Sequence, residues 1–311
     1  MSRLINGLHH ITALGGDPQS NVDFYSKTLG LRLVKKTINF DATEVYHLYY
    51  GDETGQPGTI MTFFPYPGIQ RGRIGTGQVT ITSFSIPTDS VDYWAKRLEE
   101  QQVSFQSPSR RGDETVLPLE DPDGLLLELV ANDNDQRKGW GGGDVPEKHA
   151  IRGFFGLTIC VANSMATQHL LTNTMEYSVV SDNPGRTRLQ ASSGEPGTTV
   201  DLACPPNAQR GLSGGGTIHH VAFSTDSDDT QRQIREKLVE AGMQVTQVLD
   251  RQYFHSIYFR EPGGVLFEVA TNPPGFAKDE EVANLGTSLK LPPWEEKNRE
   301  AIEQNLTPID S

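Results

Sequence analysis

Four times along the chain a short apolar run is followed by a capped amphipathic segment and then by further short apolar runs. The first, "LHHITAL" (8–14), leads into "DPQSNVDFYSKTLG", where Asp17 or Ser20 can cap a helix and Gly30 can end it. "LRLVKKTI", "VYHLYY" and "TIMTFF" then read as strands, the last two joined by the turn-rich "GDETGQPG". The second copy runs from "VTITSFSI" through a helix starting near Ser90, "SVDYWAKRLEEQQ", to "EDPDGLLLELVA". The third runs from "FFGLTICV" through "SMATQHLLTNTM" to "GTTVDLAC", and the fourth from "TIHHVAFST" through "DDTQRQIREKLVEAG" to "EPGGVLFEVAT".

First strands recurring about every 70 residues mark an internal repeat. Each unit reads as βαβββ: residues 1–75, 76–132, 153–206 and 214–272, with the glycine-rich 133–152 as the linker between halves. Such a sheet is covered on one face by its helix and needs a partner unit on the other. The expected fold is therefore α+β, four modules closing into two cupped, barrel-like domains. The tail, 273–311, breaks the pattern; its "LPPWEEKNREAIEQ" reads as an acidic amphipathic helix docked through Trp294, as packing or as a lid.

Composition narrows the partners. No run approaches the length of a membrane span, and the N-terminus lacks the apolar stretch of a signal peptide, so a soluble, cytoplasmic protein is expected. A net charge of −13 without basic clusters argues against nucleic acid and anionic membranes. Cys160 and Cys204 suggest reduced core thiols, not a disulfide framework.

The doubled histidines carry the chemistry. Strict strand alternation groups His9 with Ile11 and Ala13, and His10 with Leu8, Thr12 and Leu14; in the fourth copy it groups His219 with Val221 and Phe223, and His220 with Ile218, Ala222 and Ser224. The bulkier sets suit the layer beneath a helix and the smaller, more polar sets suit a cavity, which turns His10 and His220 inward. In "GGVLFEVAT" the bulky Val265, Phe267 and Val269 share a face, leaving Glu268 on the other. A lone strand histidine is ordinarily a hydrogen-bonded core residue. A doublet repeated at equivalent places, with a carboxylate inside a strand, instead points to a two-histidine, one-carboxylate metal site with open positions.

Superposing the copies places Ile81, Gly156 and His220 at the His10 position, and Thr62, Glu128 and Asp201 at the Glu268 position. Pairing consecutive modules never brings the two histidines together. Pairing the first module with the fourth does, so modules 1 and 4 are expected to enclose the metal, and modules 2 and 3 to pair without one. Glu128 and Asp201 are then structural, with Glu128 the rival ligand.

At these residues the chain resembles the vicinal oxygen chelate superfamily, and within it the ring-cleaving dioxygenases of para-hydroquinones. "LHHITAL", "YHLYYGDETGQPGTIMTFFP", "AIRGFFG", "GTIHHVAF" and "DRQYFHSIYFREPGGVLFEVAT" carry the likeness over nearly the whole chain. The resemblance implies Fe(II) as cofactor, with manganese as the alternative, and His10, His220 and Glu268 as its ligands. It implies supporting roles beside the metal for His9, His219, Arg251 and Tyr258, and the swapped pairing of modules. It also implies extradiol-type insertion of dioxygen into a hydroquinone ring, in quinone detoxification or aromatic degradation. The partners are then a small aromatic substrate and O2, and a homo-oligomer is left open. Arg251 can neutralise an anionic oxygen, and Tyr258 or His219 can act as base; His255 is secondary, and His47 and His149 read as surface or packing residues. The alternatives are a glyoxalase-type isomerase or lyase, a catechol-specific extradiol enzyme, and a non-enzymatic binding module.

Overall fold

The computed structural model describes residues 3–192 and 194–310. Module 1 consists of β1 (Gly7–Gly15), α1 (Pro18–Val22), β2 (Arg32–Asn39), β3 (Ala42–Gly51) and β4 (Ile60–Pro65). Asp17 caps α1 by accepting from the Ser20 amide, and the helix runs on as a π-helical turn, Asp23–Thr28. Module 2 has β5 (Gln78–Ile86), α2 (Val91–Glu100), β6 (Ser109–Arg111), β7 (Glu114–Glu120) and β8 (Leu126–Ala131). Module 3 has β9 (Gly153–Cys160), α3 (Met165–Asn173), β10 (Tyr177–Asn183), β11 (Arg186–Ala191) and β12 (Thr199–Ala203). Module 4 has β13 (Thr217–Thr225), α4 (Asp228–Glu240), β14 (Leu249–Asp250), β15 (Phe254–Arg260) and β16 (Leu266–Pro274).

Two eight-stranded sheets result, in the orders β14-β15-β16-β13-β1-β4-β3-β2 and β10-β11-β12-β9-β5-β8-β7-β6. Antiparallel pairing of β1 with β13 joins module 1 to module 4, and β5 with β9 joins module 2 to module 3. The swapped arrangement expected from the histidines is the one observed. One register recurs in all four modules: Thr12 lies beside Thr62, Ser83 beside Glu128, Thr158 beside Asp201 and Ala222 beside Glu268.

Strict alternation fails at the histidine doublets. The β1/β13 ladder steps from Leu8↔Phe223 to His10↔Ala222, and from Thr12↔His220 to Ala13↔Ile218, so His9 and His219 are each an extra residue. A bulge of this kind restarts the inside–outside count. Leu8 and Ile218, assigned to the cavity by parity, accordingly lie in the main hydrophobic core with Ile11, Val221 and Phe223. The same two irregularities occur in β5/β9, at Thr80 and Phe155, so they belong to the way modules pair and not to the metal chemistry.

The second sheet has no imidazole at the equivalent places, and its carboxylates are neutralised by arginine. Arg111 spans both oxygens of Glu128 at 3.0 and 2.8 Å, and Ser83 donates to Glu128 at 2.8 Å. Arg188 holds Asp201 through two bonds of 2.8 Å, Arg186 adds another of 2.6 Å, and Arg188 also pairs with Glu114.

Residues 133–152 are a clamp as well as a connector. Arg137, paired with the buried Asp135, donates to the carbonyls of Gly58 and Phe154, one from each half of the molecule. The tail differs from expectation: the α-helix is confined to Arg299–Asn305 (α5), preceded by a 3-10 turn at Glu296–Asn298, and Ile302 is its buried contact. Trp294 is 44% exposed and meets Phe40 edge-on. Among the described residues no helix is long and apolar enough to cross a membrane. Cys160 and Cys204 are both free thiols, the first buried and the second partly so.

Asp121, in the β7–β8 turn, accepts from Tyr25 of module 1 and from the Leu125 amide, and burial pushes its pKa up to about 6. A carboxyl raised in the folded state contributes most stability below its unfolded pKa and loses it as pH climbs to the folded value. The unfolding free energy of the wild type minus that of Asp121→Asn is therefore expected to fall by about 2 kcal/mol between pH 4 and pH 7, measured by urea denaturation. A pH-independent difference would mean that Asp121 is not strained by burial.

Candidate metal centre

The central strands of the first sheet aim His10 (β1), His220 (β13) and Glu268 (β16) at one point. His10 Nε2 lies 3.2 Å from His220 Nε2 and 3.3 Å from Glu268 Oε2, and His220 Nε2 lies 3.0 Å from the same oxygen. All three side chains are buried, and among the described residues they form the cluster with metal-ligand geometry. Ligand atoms about 2.1 Å from a metal and at right angles stand about 3.0 Å apart, so the spacing suits three adjacent corners of an octahedron.

The neighbouring histidines decide which nitrogens are free. His9 Nδ1 lies 2.9 Å from His10 Nδ1, and His219 Nδ1 lies 2.8 Å from His220 Nδ1. Burial, then the charge of the adjacent ring, lowers His9 to about 3 and His219 to about 4, so both are neutral near pH 7. These contacts engage Nδ1 of His10 and of His220, so the Nε2 atoms are the ones that face Glu268. His9 in turn bonds the Thr271 backbone. Burial alone would raise the Glu268 carboxyl, but His10 and His220 outweigh it and hold the pKa well below the usual range. Its Oε1 accepts from Ser256, while Oε2 is buried without a hydrogen-bond donor. Two imidazole nitrogens and a carboxylate oxygen converging on one point are a donor set that fits a divalent cation.

The bulges explain how both histidines of a doublet serve one site. Strict alternation assigns His9 and His219 to the far face; as extra residues they sit edge-on to His10 and His220 instead, at ring distances of 5.1 Å.

Above the cluster opens a cavity of about 460 Å3, lined on one side by Arg251, Tyr258 and His219 and on the other by His47, Tyr49 and Phe64. Arg251 Nε donates to the Tyr258 hydroxyl at 3.2 Å and its guanidinium also reaches Asp41 at 3.4 Å. Burial and the Glu268 charge push the Tyr258 phenol pKa up, so it keeps its proton. His255 faces away, bonded to Asp228 at the start of α4, and His149 stacks on Tyr93 as a packing residue. Glu128, in the other sheet, is apart from the cluster.

His47 is the residue misjudged from sequence. It is no surface residue: it lines the cavity, is pulled well below its ordinary pKa by burial, and bonds Thr62 at 2.9 Å and Tyr49 at 2.8 Å. Carrying the module superposition one strand further would have found it, since it occupies in module 1 the place of Ser256 in module 4.

Similarity to known proteins follows the same outline. Over 310 residues the chain is 44% identical to a Bacillus subtilis (strain 168) protein named "Putative ring-cleaving dioxygenase MhqO", covering 100% of this chain and 98% of that one. It is 34% identical over 298 residues to the "Chlorohydroquinone/hydroquinone 1,2-dioxygenase" of Sphingobium indicum, covering 93% and 92% of the two chains. A crystal structure of a B. subtilis dioxygenase, itself described as putative, superposes with a TM-score of 0.95 at 43% identity over 99% of both chains. Residues 7–129 and 170–269 match the Glyoxalase/Bleomycin resistance protein/Dioxygenase superfamily, and with its paired βαβββ modules the chain belongs to that superfamily.

Proposed function

We propose that the protein is a ring-cleaving dioxygenase that opens a substituted para-hydroquinone at a single Fe(II) held by His10, His220 and Glu268. The observation that carries this reading is the convergence of two imidazole nitrogens and a carboxylate oxygen beneath a largely aromatic cavity, in a chain similar along its length to proteins named for ring cleavage. Iron at this position supplies the redox chemistry that lets an aromatic ring react with dioxygen, with insertion of the extradiol type.

The surrounding residues bind, orient and handle protons. His9 and His219 fix the tautomers of the two ligating imidazoles, and Ser256 fixes the Glu268 carboxylate. Phe254 packs against the His10 ring at 5.0 Å, and with Phe64 it offers flat apolar surface to an aromatic ring. Arg251 stabilises an oxygen bearing negative charge. Because Arg251 donates to the Tyr258 oxygen, the Tyr258 proton is free to point elsewhere, which suits a proton donor more than the base expected from sequence. His219, which also lines the cavity and meets His220 through Nδ1, is the second group placed to move a proton there.

Oxygen consumption by anaerobically Fe(II)-loaded protein, with methyl- and chlorohydroquinone beside catechol, tests the proposal. Uptake is expected with the hydroquinones. Uptake with catechol alone would overturn the substrate class, and turnover of any substrate under nitrogen without oxygen uptake would favour isomerase chemistry.

A further inference from the structure

The register that places Glu268 at the metal centre recurs in every module, and three of its four occupants, Glu128, Asp201 and Glu268, are carboxylates. Thr62 is the exception, and it lies in the same sheet as His10 and His220. The strand order β16-β13-β1-β4 has a local two-fold symmetry: exchanging β13 with β1 exchanges His220 with His10 and carries Glu268 onto Thr62.

The surroundings repeat too. Tyr258 stands across the ladder from Glu268 as Tyr49 does from Thr62. Ser256, two residues before Tyr258, donates to Glu268, while His47, two residues before Tyr49, bonds Thr62 at 2.9 Å. Thr62 Oγ1 is also bonded to Thr12 Oγ1 at 2.8 Å. The hydroxyl is thus held on two sides by neutral groups and brings no charge to the corner that mirrors Glu268.

Resting on the metal-centre reading above, we propose that Thr62, held by His47 and Thr12, is the residue that keeps the centre three-liganded and leaves its Thr62 side open to a small exogenous ligand, dioxygen in the proposed reaction. A carboxylate at position 62 closes that side and makes a four-ligand centre. The strand position accepts one where a cation faces it, as Glu128 with Arg111 and Asp201 with Arg188 show in the other sheet, and at position 62 the metal is that cation.

Thr62→Glu and Thr62→Val, loaded anaerobically with Fe(II), test this with nitric oxide as the dioxygen surrogate and a chelator as competitor. Wild type and T62V are expected to give the EPR signal of the nitrosyl adduct. T62E is expected to give no more than about a tenth of that signal and to lose iron to the chelator about ten-fold more slowly, as an added charged ligand requires. Wild-type signal or wild-type iron loss in T62E, or iron content below the wild type's, would overturn the inference. Should T62E not fold, Thr62→Asp is read in the same way, and failure of both to fold overturns the claim that this corner accepts a carboxylate. Absence of the signal from the wild type itself would instead overturn the three-ligand reading of the centre.

Discussion

Glu268→Gln is expected to strip the protein of its metal and of oxygen uptake while leaving it folded. The glutamine keeps the volume of the side chain and a partner for Ser256, but it removes the only negative charge among three converging ligand atoms. Loss of a supporting hydrogen bond around a metal commonly costs 10- to 100-fold in affinity, so loss of a charged ligand is expected to cost more than about 100-fold. Without metal, the wild type holds a buried carboxylate 3.0 and 3.3 Å from two imidazole nitrogens, whose interaction outweighs the cost of burying it. The metal-free variant is therefore expected to melt below the metal-free wild type while still unfolding cooperatively. Metal stoichiometry after anaerobic loading, read beside thermal unfolding of both metal-free forms, separates a lost ligand from a lost fold. Normal iron content in E268Q, or in His10→Ala or His220→Ala, would remove that residue from the ligand set.

Arg188→Met is expected to destabilise the chain by about 3 kcal/mol without changing its metal content, because it breaks a buried ion network in the half of the molecule that lacks the imidazoles. Methionine fills the space but leaves Asp201, 3% exposed, with Arg186 alone, and deprives Glu114 of one of its two arginines. The pH dependence has a definite sign. Burial raises the Asp201 carboxyl, but Arg188 and Arg186 outweigh it and hold the folded pKa below the ordinary value. The network's contribution is thus present above about pH 4 and lost as acid protonates Asp201, so wild type and R188M should converge on acidification. Urea unfolding at neutral and acid pH measures both effects. A difference below about 0.5 kcal/mol at neutral pH would show that water screens the network.

Local patterns carried much of this structure because the repeat unit is short-range. The cap at Asp17, the strand–helix–strand–strand–strand order and the inward carboxylate at Glu268 follow from spacing and alternation within about 60 residues. The pairing of modules 1 and 4 was legible only because two similar doublets lie about 210 residues apart and no other pairing unites them.

Three features lay beyond that reach. Alternation assumes an unbroken ladder, and the bulges at His9 and His219 exist only where β1 meets β13, so Leu8 and Ile218 were placed on the wrong face and the two extra histidines seemed too far from the site. His47 gave no signal in its own strand, since its partners Thr62 and Tyr49 acquire meaning only when the module-1 sheet is laid over that of module 4. Trp294 and α5 depend on where the tail docks.

Sequence alone determined the modules, their order, and which residue types were available to hold a metal, because these depend on periodicity along the chain. Tertiary structure alone decided that His9 and His219 stand beside His10 and His220, that Thr62 mirrors Glu268, and that arginines occupy the equivalent cup. Each of those depends on the register between strands distant in sequence, and a one-residue bulge in that register changes which way every later side chain points.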